Sequence, residues 1–99
     1  MDQNKGVVYR KTTDIVTRKI AGETLLVPVR GELADLQKVF VLQGIGEFIW
    51  QKIDGEQNQT SLSQDVLEMF DVERDTAETD LREFLHELVS AGLIEEIDQ

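Results

Sequence analysis

The sequence predicts an α+β domain in which a three-stranded antiparallel sheet is followed by three helices. Two observations indicate this order. Residues 15–42 hold three strand-length segments rich in Val, Ile, Leu, Thr and Phe. After Gly44 the apolar residues recur at the helical spacing of 3.6. A run of strands followed by a run of helices is typical of the α+β class, because alternating units would instead predict a parallel sheet.

The strands are predicted at residues 15–20, 25–29 and 37–42. The segments that join them are only a few residues long, which favours antiparallel hairpins over parallel crossovers. Pro28 has no N–H to donate, so it must occupy an unpaired position or a bulge. The order of elements resembles a winged helix with its wing at the front.

The three helices are predicted from apolar spacing and capping residues. Ile45 lies in the first turn of the first helix, and Gly55 supplies a left-handed stop. Ser61, with Gln64 three residues later, has the form of a capping box that opens the second helix. Asp75, with Glu78 three residues later, is expected to cap a third helix that reaches about residue 91.

The chain after the third helix is expected to leave it through a glycine. Gly92 fits the C′ position of a Schellman motif, which would place Leu93 against Leu88. Residues 93–97 would follow as a short extended tail. Within the domain, predicted to span residues 14–97, Trp50 is expected to be buried between the first helix and the sheet. Residues 1–13 are expected to form a flexible N-terminal segment.

Composition limits the functions that the chain can have. Its 99 residues suit one domain with one core. It has no cysteine, so a thiol nucleophile and a thiolate metal site are excluded. No apolar run is long enough to cross a membrane, and residues 1–11 lack an apolar signal region. We therefore expect a cytoplasmic protein that does not bind membranes.

Charge is distributed unevenly along the chain. The net charge of −10 divides into +2 over residues 1–43 and −12 over residues 44–99. The predicted third helix carries five acidic residues against Arg82 alone. A DNA-reading helix needs several Lys or Arg side chains to neutralise phosphates, so we do not expect a nucleic-acid partner. The acidic half is either a set of solvated helix faces or a surface that attracts a basic partner.

No group of residues indicates catalysis. His86 is the single histidine, and its helical neighbours Arg82 and Ser90 make neither a metal site nor a catalytic triad. Gly44-Ile45-Gly46 lacks the third glycine of a dinucleotide fingerprint and is better explained as the entry to a helix. The sequence therefore predicts a protein that is not an enzyme, with no cofactor and no metal.

The third helix is apolar over a wide arc. Its apolar residues span about 140° of the helix circumference, given the advance per residue of an α-helix. A single core contact needs about 100°. Either the helix touches both the sheet and the other helices, or one margin of the arc forms the wall of a groove. The sequence leaves open whether that margin is the one at Phe84 or the one at Leu85 and Val89.

Four short motifs in this order resemble those of a known family. They are Leu25-Leu26-Val27-Pro28, Leu42 followed by Ile49-Trp50, Ile53-Asp54-Gly55, and Phe84-Leu85-His86-Glu87-Leu88 followed by Gly92-Leu93. Together they resemble coenzyme PQQ synthesis protein D, a family of small domains that recognise precursor peptides, over about residues 15–94. The chain departs from the family pattern where Gln43-Gly44-Ile45-Gly46 stands in place of a polar residue followed by Glu-Thr-Ala.

The resemblance implies a function and a partner. In that family the leader of a ribosomally made precursor peptide is added as a strand to the third strand and is clasped by the third helix. The domain then presents the peptide to a separate modifying enzyme, often of the radical SAM class. The pathway would be the synthesis of PQQ or of another modified peptide.

The predicted peptide site combines a strand edge and a helix wall. An open edge offers unpaired backbone groups to an added strand, and the helix selects side chains. The site residues expected are Lys38, Val39, Phe40, Val41 and Leu42 on the strand, and Leu81, Phe84, Leu85 and Leu88 on the helix.

Two other functions and one property of the predicted site stay open. The alternative functions are a small winged-helix transcription regulator and a scaffold subunit that does not bind peptide. We expect a monomer when dilute, with dimers or strand-swapped forms arising through the same open edge.

Overall fold

The computed structural model describes residues 6–13, 15–29 and 39–98, and these form two three-stranded antiparallel sheets and three helices. The strands are β1 (Val7–Lys11), β2 (Ile15–Ile20), β3 (Glu23–Pro28), β4 (Phe40–Leu42), β5 (Gln57–Asn58) and β6 (Ile94–Asp98). The helices are α1 (Gly44–Lys52), α2 (Gln59–Met69) and α3 (Arg74–Ser90). The predicted α+β class and the order of β2 to β4 before the helices are confirmed.

The predicted sheet is the one with strand order β2–β3–β4. Its register pairs Arg18 with Leu25 and Leu25 with Val41, so these three residues share one face of the sheet. Strand β3 begins two residues earlier than predicted and ends at Pro28, where a missing N–H is tolerated. Gln37 and Lys38, the first residues of the predicted third strand, lie outside the described residues.

A second sheet, with strand order β5–β1–β6, was not expected from the sequence. Strand β1 lies within the predicted flexible segment 1–13, so that prediction is wrong for residues 7–11. Tyr9 pairs with Gln57 on one side and Glu96 on the other, and the Nε of Arg10 lies 2.8 Å from a carboxylate oxygen of Glu95. These partners are distant in sequence, which is why local pattern did not reveal the strand. The domain boundaries of 14 and 97 otherwise stay a prediction.

The helix starts differ from the predictions. The capping box of α2 joins Asn58 and Ser61: the N–H of Ser61 donates to the Asn58 side chain at 2.8 Å, and the Ser61 hydroxyl accepts from the Asn58 N–H at 3.0 Å. Ser61 is thus the third residue of the helix and not its cap. The N-cap of α3 is Glu73, without a side-chain hydrogen bond, and Asp75 lies in the first turn. In that position the negative charge of Asp75 interacts favourably with the positive N-terminal end of the helix dipole.

The end of α1 also differs from the prediction. This helix is capped by Ile53 in an extended conformation, so Gly55 is not its left-handed stop. Gly55 does have a positive φ of 89°, and its N–H donates to the carbonyl oxygen of Tyr9 at 2.8 Å. The glycine therefore turns the chain from α1 towards β1 and its sheet.

The end of α3 confirms the predicted Schellman motif. The N–H of Leu93 donates to the carbonyl of Leu88 at 2.9 Å, and the N–H of Gly92 donates to that of Val89 at 3.0 Å. Gly92 has a φ of 75°, in the left-handed region that this motif requires. The chain then enters β6, the extended tail predicted after the helix.

One apolar core joins the sheets and helices. Trp50 is buried in it, as predicted, and the ammonium of Lys11 on β1 lies 4.9 Å from its ring centroid. Fully buried side chains come from every layer, including Leu26, Leu62, Leu85 and Leu93. Each contributes roughly 1.5–3 kcal/mol of transfer free energy. None of the helices in the described part of the chain is long and apolar enough to cross a membrane.

Candidate functional site

Strand β4 lies at the edge of its sheet, with β3 on one side and no strand on the other among the described residues. Leu42 is buried and Phe40 packs against the core, whereas Val39 and Val41 are 51% and 52% exposed. This alternation places one set of side chains inward and the other in solvent. The backbone groups on the outer side of such an edge are available to another strand.

The predicted residues of α3 separate into two groups. Leu81 and Leu85 are 2% exposed and Leu88 is 3% exposed, so these three belong to the core. Phe84 is half-buried and reaches the surface beside α1. Among the predicted helix residues, Phe84 is therefore the one with surface available to a partner. Leu88 has its own role in the Schellman contact.

An apolar pocket of about 230 Å³ lies between the starts of α1 and α3 and the side of α2. We call it the three-helix pocket. The residues that line it are Ile45, Gly46, Ile49, Val66, Val72, Thr76, Ala77, Asp80, Leu81 and Phe84. Strand β4 ends at Leu42, three residues before Ile45, so the open strand edge leads towards this pocket.

Most of these lining residues were not predicted. Only Leu81 and Phe84 were among the expected site residues. A signal was present at Gly46, since the chain departs from the family pattern there. The others, such as Val66 and Val72, are brought together only by the packing of three helices.

A polar cluster fastens the start of α1 to the β2–β3 hairpin. The Thr24 hydroxyl donates to a Glu47 carboxylate oxygen at 2.8 Å, and the Lys19 ammonium lies 3.3 Å from the other oxygen. The hydrogen bond from Thr24 is the largest cause of a lowered pKa of the Glu47 carboxyl; burial opposes it, and Lys19 lowers the pKa further. A side-chain hydrogen bond from Gln43 to Glu23 adds a second link. These contacts fix the start of α1 relative to the β2–β3 hairpin, with which β4 pairs.

The ionisable residues of the site are few. Asp80 is the one charged side chain among the described residues that line the three-helix pocket, and it is exposed. Glu83 and Glu87 extend the negative surface of α3 beyond it, and His86 beside them is also exposed. In the described part of the chain, no group of three or more His, Asp or Glu side chains is arranged to hold a metal ion.

Two solved structures share the fold. One is TbiB1 in complex with the TbiA(beta) leader peptide, with a TM-score of 0.72 and 24% identity, covering 87% of this chain and 94% of that one. The other is a lasso peptide synthetase B1 complexed with the leader peptide, with a TM-score of 0.72 and 17% identity, covering 88% of this chain and 96% of that one. At these identities the likeness concerns the fold alone.

Family membership rests on the sequence itself. No curated protein matches the chain. The family model of coenzyme PQQ synthesis protein D matches residues 23–94, well over half of the chain and including β3, β4 and all three helices. All residues of the four sequence motifs lie within this match. The chain therefore belongs to the coenzyme PQQ synthesis protein D family.

Proposed function

We propose that this protein binds the leader of a ribosomally made precursor peptide and presents it to a separate modifying enzyme. The observation that carries the proposal is the open edge of β4, which leads within three residues to the three-helix pocket. Backbone hydrogen bonds along the edge would supply affinity that tolerates many sequences. The surface beside α3 would then select side chains at alternate peptide positions.

The family and the fold support this proposal. The two structural neighbours were both solved with leader peptides, and this chain shares their fold over most of its length. The pathway, whether PQQ synthesis or another peptide modification, and the radical SAM class of the modifying enzyme stay predictions. A cytoplasmic location and a monomeric state when dilute also stay predictions.

The β2 edge is the rival for strand addition on the same sheet. It is longer than the described part of β4, but residues 16–20 are all exposed and include Arg18 and Lys19. Charged side chains on an edge discourage strand pairing. Strand β4 instead places Phe40 and Leu42 against the core and leads directly into α1. A peptide on β4 would therefore meet an apolar surface, whereas one on β2 would meet mostly solvent.

The charge of the helices suggests the character of the peptide. Asp80, Glu83 and Glu87 make the exposed surface of α3 acidic. Complementary charge raises association rates and disfavours wrong partners. We therefore expect the leader to carry basic residues near its contact with α3. The same acidic surface repels DNA, which argues against the transcription regulator.

We infer that the protein acts without catalysis of its own. The walls of the three-helix pocket are apolar, and Asp80 at its edge has no second ionisable side chain beside it among the described lining residues. A general acid and base pair would need two such groups in reach of one substrate. The chemistry would belong to the enzyme that receives the peptide.

Disulfide cross-linking tests the proposed edge, because the chain has no cysteine of its own. Val41→Cys is paired with versions of a candidate leader peptide that carry one cysteine at successive positions. Residues opposite each other on adjacent strands lie within the distance that a disulfide requires. We expect cross-linking at one leader position and more weakly two residues away.

Ile20→Cys on β2 is the matched control, since this position is equally exposed. Cross-linking from Ile20→Cys but not from Val41→Cys would move the peptide to the rival edge. If the leader cross-links to neither Val41→Cys nor Ile20→Cys while the protein still binds the modifying enzyme, the scaffold alternative is supported.

A further inference from the structure

The three-helix pocket is a second feature of the site, separate from the strand edge. Its walls come from the first two turns of α1, the second half of α2, Val72 and residues 76–84 of α3. An added strand on β4 gives no reason for an open apolar space between three helices. An open apolar pocket at the surface is the kind of place that an apolar group of a partner fills.

The size of the pocket limits what can enter it. Its volume is about 230 Å³. An apolar cavity of about 150 Å³ accepts a benzene ring, while pockets for drug-sized ligands and cofactors begin at about 300 Å³. The three-helix pocket therefore has room for one aromatic ring or one large branched aliphatic group, and is too small for a cofactor.

The lining determines the chemistry of that group. Ile45, Ile49, Val66, Leu81 and Phe84 present hydrocarbon, so an uncharged apolar group is favoured inside. The two polar lining residues, Thr76 and Asp80, are both exposed and lie one turn apart on α3. A carboxylate at this edge favours a positive charge just outside the pocket.

Gly46 keeps the pocket open. A Cβ built on this residue would lie 3.5 Å from Cζ of Phe84, an ordinary contact distance. The fold therefore accommodates a small side chain here, but that side chain would occupy space beside Phe84. Glycine at this position leaves the space beside the Phe84 ring free for a guest group.

We propose that the three-helix pocket holds one ring-sized apolar side chain of the bound peptide, with a basic residue beside it facing Asp80. Gly46 is then the residue that sets the size of the side chain accepted. This inference rests on the proposed function, because the peptide is the leader that adds to β4.

The test uses small probes, which do not depend on strand addition. N-acetyl-phenylalanine amide, N-acetyl-leucine amide and N-acetyl-alanine amide are titrated into the labelled protein and followed by amide NMR. We expect the first two to shift the amides of Gly46, Ala77 and Phe84, with a Kd on the order of 1 mM for ligands of this size. The alanine probe should leave those amides unchanged.

Variants of Gly46 give a graded result. Gly46→Ala should weaken the phenylalanine probe about fourfold, since it displaces contact worth one methylene-sized group. Gly46→Leu should abolish its binding. Gly46→Ala keeps the test valid should the larger residue prevent folding. Thr79→Ala is the matched control, because Thr79 is exposed on α3 and does not line the pocket.

Dipeptide probes test the role of Asp80. The amide of N-acetyl-Phe-Lys should bind about threefold more tightly than that of N-acetyl-Phe-Glu at low salt, the range of an exposed ion pair. Asp80→Asn should remove the difference. Equal binding of the two dipeptides to the unmodified protein would overturn the assignment of Asp80.

The outcomes separate this inference from the proposed function. If the leader cross-links to Val41→Cys but no probe shifts the pocket amides, the pocket assignment is wrong and the proposed function stands. If the probes bind but the leader does not cross-link to β4, the β4 site of the proposed function is wrong and the peptide part of this inference fails with it. If both succeed, Gly46→Leu should weaken the leader at least about tenfold without changing the cross-linked position.

Discussion

Phe84 and Leu85 are neighbours on α3, and substituting each by alanine should separate peptide binding from folding. Phe84 is half-buried and lines the three-helix pocket, whereas Leu85 is buried in the core. Phe84→Ala should mainly weaken the leader. Leu85→Ala should mainly destabilise the fold.

The magnitudes follow from burial. Removing a fully buried leucine costs about 3–5 kcal/mol, which includes the cavity left behind. At about 4–8 °C per kcal/mol for a domain of this size, Leu85→Ala should lower Tm by about 12 °C or more. Because Phe84 is only half-buried, Phe84→Ala should reduce the free energy of unfolding by about half the cost for a fully buried aromatic residue, roughly 1.5–2.5 kcal/mol. The surface it still exposes would contribute about 1–1.5 kcal/mol to binding, which is a fivefold to tenfold rise in Kd.

Two assays measure these quantities independently. Urea unfolding is followed by the fluorescence of Trp50, the single tryptophan, which is buried and so reports loss of the core. Leader binding is measured by fluorescence anisotropy and corrected for the folded fraction. We expect the Kd of folded Leu85→Ala to stay within about twofold of the unmodified protein.

The opposite pattern would refute this reasoning. If folded Leu85→Ala loses more leader affinity than Phe84→Ala, the peptide contacts the other margin of α3. The helix would then have to rotate or open on binding, and the core assignment of Leu85 would not hold in the complex.

Three further predictions concern the elements that support the site. Glu47→Gln should flatten the dependence of stability on pH. Thr24 first and then Lys19 lower the pKa of Glu47 in the folded protein, so the ionised carboxylate stabilises the fold above the ordinary pKa of a glutamate. This stabilisation is lost as the pH falls through the folded pKa, and urea midpoints between about pH 6 and pH 3 measure the loss. An unchanged pH profile would contradict the cluster. Gly92→Ala should cost about 1–2 kcal/mol because alanine is strained at a φ of 75°, measured as a lower Tm with unchanged leader Kd. Asn58→Ala should cost about 1 kcal/mol by removing the α2 capping box, and a Tm equal to that of the unmodified protein would argue against that cap.

Local interactions account for what the sequence predicted correctly. The Schellman end of α3 depends on Leu88, Gly92 and Leu93, which lie within six residues of one another, and it was predicted from the position of Gly92. Strands β2 and β3 form a tight hairpin and were likewise evident from composition. The α2 cap was displaced by three residues because Asn58 and Ser61 are both good capping residues, and the choice between them depends on how β5 leads into the helix.

Long-range packing accounts for what the sequence did not predict. Strand β1 exists because Tyr9 and Arg10 find partners near both the middle and the end of the chain. Periodicity showed that α3 is apolar over a wide arc, but not that Leu85 faces the core while Phe84 reaches the surface. The three-helix pocket needs Gly46, Val66 and Asp80 from three helices, and no local pattern relates them.

The central claim is that a leader peptide adds as a strand to β4 beside Phe84. Amide NMR with hydrogen exchange, recorded before and after adding the leader, tests it most directly because each edge strand reports separately. We predict that shifts centre on residues 39–42 and 80–88, and that amides of 40–42 on the open edge become protected from exchange. Shifts centred on residues 15–20 or 62–70 instead, with the fold intact, would contradict the claim.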